Sequence, residues 1–339
     1  MEKFYRAILK NAWTISWKNK WLWILGFFAA IIGNGSVYEA LLRGFNNVSE
    51  GRSVFYTFSE YAEAGIFGSF SWASFSALWQ SDPTAFGTGL FTLVVALCVI
   101  AILITFGVIG QGAVVAGVIG TDQKKKTDFR KSFHVGVEKF WSILKLNVIT
   151  KIILLGLLVS LSYLVSFIVF NSVAMSLFVY VLAFIVFVIL EIIIYFLTIY
   201  GITFIILRDV RPLVALRKAW KLFSKHALLN LEMGFLLFLI NIIVGFVFIV
   251  VNFIILSPLL VLYLLFLFSG SKLAALIVVM IMIMLFACLM IIVGSWWSTY
   301  QLGVWSLLFE KLDTTDAKSK IQRWFESVKN KNKSKKIRK

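Results

Sequence analysis

The sequence predicts an all-α integral membrane protein: six transmembrane helices in three hairpin-like repeats, each preceded by a cytoplasmic amphipathic helix. Three observations lead there. Of 339 residues, 60% are apolar and only 14% are charged, with mean hydropathy +0.93, more oily surface than one water-soluble core can hide. Uncharged runs recur, such as "LFTLVVALCVIAILITFGVIGQGAVVAGVIG" from Leu90 to Gly120, and about 20 such residues cross a bilayer. The runs are apolar on every face, which excludes the short alternating segments of an outer-membrane barrel.

The predicted spans are 17–34, 90–118, 148–170, 176–207, 231–257 and 273–309. The first is the shortest, because its densest part, "WLWILGFFAAIIG", has 13 residues. Charge distribution requires it to cross. The N-terminal 20 residues hold 5 Arg and Lys, the loop 119–147 holds 7, the loop 208–230 holds 6 and the chain from Glu310 holds 11, whereas the opposite side holds only Arg43, Arg52 and Lys272. The positive-inside rule then places both termini in the cytoplasm of a multi-pass protein of the cell membrane. Without the first crossing, the basic N-terminus and the basic loop 119–147 would face opposite sides. The same parity denies "PLLVLYLLFLFSGS", 258–271, a crossing of its own. It is expected to be a bent extension of the fifth span beyond Pro258, or a re-entrant or interfacial piece.

One membrane domain thus covers 1–312, with an outer loop at 35–89 and a basic tail at 313–339 that begins as a short amphipathic helix. The basic stretch before the first apolar run is long and no small-residue cleavage pattern follows, so the first helix is expected to be retained. Cys98 and Cys288 fall inside spans and give no disulfide framework. Asn34 and Asn47 fit the glycosylation acceptor pattern on the outer side.

The repeats rest on a shared ruler. Glu2, Asp122, Asp209 and Asp313 are each followed eleven residues later by an aromatic residue, namely Trp13, Phe133, Trp220 and Trp324. Lys10, Arg130 and Arg217 stand eight after the first three acids, while the fourth copy has Ile321 there, between Lys320 and Arg323. The repeats run over about 1–121, 122–208 and 209–312. An acid ahead of a helix suits an N-cap or first turn, and Pro212 suits the first turn of the third copy. That helix is two-faced, with Arg217, Lys218, Lys221 and Lys225 on one stripe and Leu213, Leu216, Trp220, Phe223 and Ala227 on another. In the second copy Arg130, Lys131 and Glu138 oppose Phe129, Phe133, Val137, Phe140 and Trp141. Helices of this kind lie in the headgroup plane with bases toward anionic lipid.

Over most of residues 1–312, the patterns "LRKAWKLFSKHALLNL" and "FRKSFHVGVEKFWSILKL", each feeding a span, resemble a known family. It is the multi-spanning membrane domain fused to some bacterial glycerophosphodiester phosphodiesterases, with its stand-alone relatives. The resemblance lies in helix pattern and aromatic-basic texture. The fused catalytic domain has no counterpart here, and the family's membrane part brings no catalytic residues to carry over.

No catalytic constellation is visible. The two histidines, His134 and His226, both sit in basic interfacial helices, where a headgroup contact or solvation is the expectation rather than metal ligation. No P-loop, HExxH or nucleophile-elbow motif occurs, and no cofactor is expected. Residues that are costly in a bilayer form a second candidate site. Glu191 is at the centre of the fourth span with Tyr195 and Thr198 at helical spacing. Asn147, Lys151, Ser162 and Ser166 share a face of the third span, Lys151 within snorkelling reach of the cytoplasmic interface. Asn230, Asn241 and Asn252 line up on the fifth, spaced by eleven. Two readings stand: a polar cleft centred on Glu191, or interhelical hydrogen bonds of about 0.6 kcal/mol each.

The expected function is non-catalytic: a membrane-organising or lipid-interacting protein whose basic collar grips anionic headgroups, with a membrane-protein partner or a second copy as further candidates. The alternative is a secondary transporter or channel with its polar site around Glu191. The terminal "KNKNKSKKIRK" carries seven bases, suited to topology or an anionic leaflet. It lacks the interleaved aromatics of a single-strand nucleic-acid binder.

Overall fold

The computed structural model describes residues 3–33, 45–50, 52, 72–167 and 173–314, apart from the side chains of 3, 72–75, 78, 162, 164–167 and 173. The tail helix after Asp313, most of the outer loop 35–89, Asn34 and the side chains of Ser162 and Ser166 lie outside the described residues. Among these residues the regular elements are helices, with no strand. In chain order they are α1 (Lys3–Lys18), α2 (Trp21–Ile31), α3 (Trp72–Ser81), α4 (Pro83–Asp122) and α5 (Phe129–Glu138). They continue as α6 (Phe140–Phe167), α7 (Val173–Arg208), α8 (Pro212–Lys225), α9 (Ala227–Phe268) and α10 (Lys272–Thr314).

Five helices, α4, α6, α7, α9 and α10, are long and apolar enough to cross a membrane. The expected first span corresponds to α2, whose 11 residues rise only about 16 Å. Pro258 lies inside α9, so 258–268 continues the helix of the fifth span. The turn after it is set by Gly270 at φ +76. Ser271 N donates to Phe266 O at 3.0 Å and Gly270 N to Leu267 O at 3.2 Å, the paired bonds of a Schellman cap. Lys124, at φ 56, closes α4 with the same bond pattern.

The chain divides into two compact units. The first holds Met1–Ala30, Gly107–Ile143 and Ile199–Lys339. Its core forms where small residues let backbones approach. A Cβ on Gly26 of α2 would stand 2.6 Å from Ser295 O of α10, and one on Gly110 of α4 would stand 2.6 Å from Leu25 O of α2. The short α2 is therefore clasped from two sides, burying Leu22, Leu25 and Ala29. Thr299 Oγ1 donates to Leu22 O at 3.0 Å across the same crossing. Tyr200, Phe204 and Phe309 add an aromatic contact, with the Phe204 and Phe309 rings 4.7 Å apart edge to face.

The second unit holds Ile31–Phe106 and Leu144–Thr198. Its core is Leu154, Phe187 and Ile194, flanked by Leu157, Leu158, Leu161 and Phe184 of α6 and α7. Asp82 caps α4, accepting from Thr84 Oγ1 at 2.6 Å, Ala85 N at 3.0 Å and Thr84 N at 3.1 Å. The Thr84 side chain and then the Ala85 amide hold its carboxyl below the usual 3.8.

Candidate functional site

The collar helices α1, α5 and α8 have three faces rather than two. Each docks through a face that includes small residues: Ala12 and Ser16 with Ile8 and Ile15 on α1, Ser132 and Gly136 on α5, and Ala215 and Ala219 on α8 are buried. At Gly136 the docking is backbone to backbone, since an added Cβ would stand 2.5 Å from Ile109 O. The buried small residues Ala12, Ser132 and Ala219 stand one position before the aromatic of the ruler.

With a narrow face spent on docking, the aromatic and basic stripes remain outward. Trp13, Trp17, Phe129, Leu213 and Trp220 are exposed beside Arg130, Lys131, Arg217, Lys221 and Lys225. Lys218 is different. It is half-buried, and its Nζ stands 6.0 Å from the centre of the Phe204 ring, a cation–π contact that turns it toward the protein. Lys131 Nζ also donates to Lys126 O at 3.1 Å.

Glu2 and the helix after Asp313 lie outside the described residues, and neither Asp122 nor Asp209 is the N-cap of the helix that follows it. Asp128 caps α5 by accepting from Lys131 N, and Arg211 stands at the N-cap of α8 without a side-chain bond. Asp122 and Asp313 end or nearly end α4 and α10, and Asp209 follows α7 at φ 48. Carboxylates at helix C-termini oppose the macrodipole, and here each meets a donor from another element. Asp122 accepts from Asn11, Asp313 from Arg208, and Asp209 from Lys139 at 3.0 Å. Lys139 also meets Glu138 at 2.7 Å. The Glu138 bond first, and the Asp209 bond second, raise the Lys139 pKa above the usual 10.5. Tyr5 donates to Glu232, and Gln123 to Glu310 at 2.8 Å, adding two more ties between distant segments.

An aromatic belt also escaped the sequence reading. Trp13 meets Trp296 edge to face at 5.0 Å and stacks on Trp17 at 6.1 Å, and Tyr300 stacks on Trp296 at 6.1 Å. Trp23 Nε1 donates to Ser16 O at 2.7 Å beside it. Clustered Trp and Tyr of this kind belong at a membrane–water interface. His226 is buried at the junction of α8 and α9, contrary to the solvated or headgroup-bound position expected for it, whereas His134 is exposed. Its backbone serves both helices there, its N–H donating to Leu222 O and its carbonyl accepting from Asn230 N.

The intramembrane candidates are divided between the units. In the second unit Glu191 is buried, 4% exposed, and interacts electrostatically with Lys151. Lys151 Nζ donates to Gly33 O at 3.1 Å. Tyr195 and Thr198 are half-buried on the same helix, and the Thr198 hydroxyl is turned back to Ile194 O at 2.8 Å. Asn147 is buried in the second unit, whereas the three asparagines of α9 belong to the first. Asn241 is exposed, Asn252 is buried and donates to Phe248 O at 2.8 Å, and Asn230 accepts from Tyr200. Sequence spacing put the three on one line, but the packing around α9 changes along its length, so their environments differ. Among the described residues, no three His, Cys, Asp or Glu come together in a way that suits a metal ion.

No protein-family model, curated protein or solved structure matches this chain.

Proposed function

We propose that the chain is a non-catalytic, membrane-organising protein of the cell membrane that holds anionic lipid headgroups on a basic cytoplasmic collar. One observation carries the reading: α1, α5 and α8 dock through faces that include buried small residues and leave exposed Trp or Phe beside exposed Lys or Arg. This is the disposition of an interfacial helix, with rings at the acyl boundary and bases among headgroups. The reading includes six spans, α2 being the first, both termini cytoplasmic, and three repeats. The shared place of Ala12, Ser132 and Ala219 on the ruler supports the repeats. The family resemblance noted above fits it, and a second copy or another membrane protein is a further partner for the collar.

The test is lipid selectivity of the full chain in mixed vesicles, read from spin-labelled anionic and zwitterionic lipids. Each exposed base near the surface contributes about 1 kcal/mol of attraction to anionic lipid. Replacing Arg130, Lys131, Arg217 and Lys221 together by Gln should abolish most of the preference, and salt should weaken it in the parent. Unchanged selectivity in that variant would sink the proposal.

Burial of Glu191, in electrostatic reach of Lys151, favours a second reading, a transporter or channel with a polar site there. It requires solute or ion flux that is lost in Glu191→Gln. Equal flux through vesicles with and without protein removes it.

A further inference from the structure

α9 and α10 pack as a hairpin, and no charge interrupts α9 between Glu232 and Lys272. The 36 helical residues from Met233 to Phe268 rise about 54 Å. A bilayer offers about 30 Å of hydrocarbon and about 40–45 Å with its headgroups. An upright hairpin in a flat bilayer would therefore leave roughly 10 Å or more of apolar rod in water. Exposed apolar residues reach both ends of the run, from Leu231 and Phe235 to Leu265 and Phe268, the last 86% exposed. Interface chemistry bounds it on both sides: Arg217, Lys221 and Trp220 of α8 precede it, and the turn Ser269–Gly270–Ser271–Lys272 ends it.

We propose that this hairpin is covered by lipid along its whole length, steeply tilted and hinged at Pro258, and that it makes the protein responsive to bilayer thickness. Fitting about 54 Å into the full bilayer needs a tilt of roughly 40°, and into hydrocarbon alone about 55°, at or beyond the top of the usual range. A hinge divides that angle between two segments. Pro258 supplies one, because it lacks the N–H that would bond Ile254 O, and its ring crowds that carbonyl. Ser257 Oγ donates to Ile254 O at 3.2 Å instead. In water the solvent would satisfy that carbonyl, but within hydrocarbon a side chain has to.

Lipid fits this surface better than a protein partner does. The exposed residues Ile249, Val250, Val251, Phe253, Ile254 and Ile255 span about 240° of the helix circumference at 3.6 residues per turn. A protein partner dries one face, while lipid surrounds all of them. The inference depends on the chain being in a membrane and not on the charge of the headgroups, so it stands or falls separately from the collar.

The experiment uses the full chain with Cys98→Ser and Cys288→Ser, reconstituted in neutral phosphatidylcholine vesicles. An environment-sensitive fluorophore is placed on Leu231→Cys, Leu265→Cys or, as a second outer probe, Phe268→Cys. Nitroxide lipids should quench the inner and outer probes alike, and aqueous iodide should quench them about tenfold less than the same probe on Lys125→Cys, since a buried apolar site excludes the ion. The depth of the outer probes should change between short-chain and long-chain lipid and shift in Pro258→Ala, with the Leu231→Cys probe unmoved. Strong iodide quenching at either end would mean that the rod projects into water and would overturn the proposal. Shielding from both quenchers would mean protein cover, a second copy included, and would also overturn it. Outer-probe depth indifferent to chain length and to Pro258→Ala would refute the hinge and the thickness response.

Discussion

Gly26→Ala tests whether α2 is the clasped centre of the first unit. The new methyl would stand 2.6 Å from Ser295 O and 2.1 Å from Thr299 Oγ1, against the 3.4 Å at which ordinary contact begins. Thr299 has no easy escape, because its hydroxyl serves Leu22 O at 3.0 Å and Ser295 O at 2.8 Å. Retreat of α2 meets α4, where Gly110 already brings the backbones together. Overpacking costs about 1–3 kcal/mol, the strained interhelical bond about 0.6 kcal/mol, and the better helix propensity of Ala returns about 0.8–1 kcal/mol. The net loss of about 1–3 kcal/mol corresponds to a Tm lower by about 2–6 °C. Size-exclusion chromatography of detergent-solubilised protein after graded heating reads it. Gly245→Ala and Gly294→Ala are the controls, since nothing lies within 4 Å of a Cβ there, and they should hold or raise Tm. A Gly26→Ala protein as heat-resistant as Gly245→Ala would refute the clasp.

Three further outcomes are expected. The Lys139 pKa is raised by Glu138 and Asp209, so its contribution is complete below the ordinary 10.5 and is lost as pH rises through the higher folded value. Lys139→Met should flatten the stability-versus-pH curve above 10.5, and with Asp209 largely exposed the loss at neutral pH should be about 0.2–1 kcal/mol. For Asp82 the sign is reversed: its cap is complete above 3.8 and lost as pH falls through the depressed folded value. Hydrogen exchange at Thr84 and Ala85 should speed up in Asp82→Ala at neutral pH and in the parent only in acid. If Glu191 and Lys151 serve structure, the double variant Glu191→Gln with Lys151→Met should be more stable than either single variant. The coupling expected is about 0.5–3 kcal/mol in reversible denaturation, and additive losses would show that the two do not act as a pair.

Of the candidate site, the exposed stripes of α8 were legible in the sequence. Arg217, Lys221 and Trp220 could be read as an interfacial stripe from spacing alone, and they are exposed. Lys218 could not be told from them, because its turn toward Phe204 depends on α7 lying beside α8. The docking face, Ala215 and Ala219, carries a sequence signal of its own: two small residues four apart between the aromatic and basic stripes. The pairing of Asp209 with Lys139 carried none, since it joins residues 70 apart in sequence. The same holds for the belt that brings Trp13 to Trp296.

Hydropathy and charge placement determined by themselves that the chain is helical and membrane-bound, because hydrocarbon leaves an apolar segment no other way to satisfy its backbone. They also marked the connections 119–147 and 208–230 as basic. Tertiary structure decided which of the equally apolar residues are core: Leu22 and Leu25 are buried, whereas Phe246 and Phe253 of α9 face outward. In lipid both environments are oily, so hydrophobicity does not sort them. What sorts them is how closely backbones approach at Gly26, Gly110 and Gly136, a property of pairs of helices that no single segment contains.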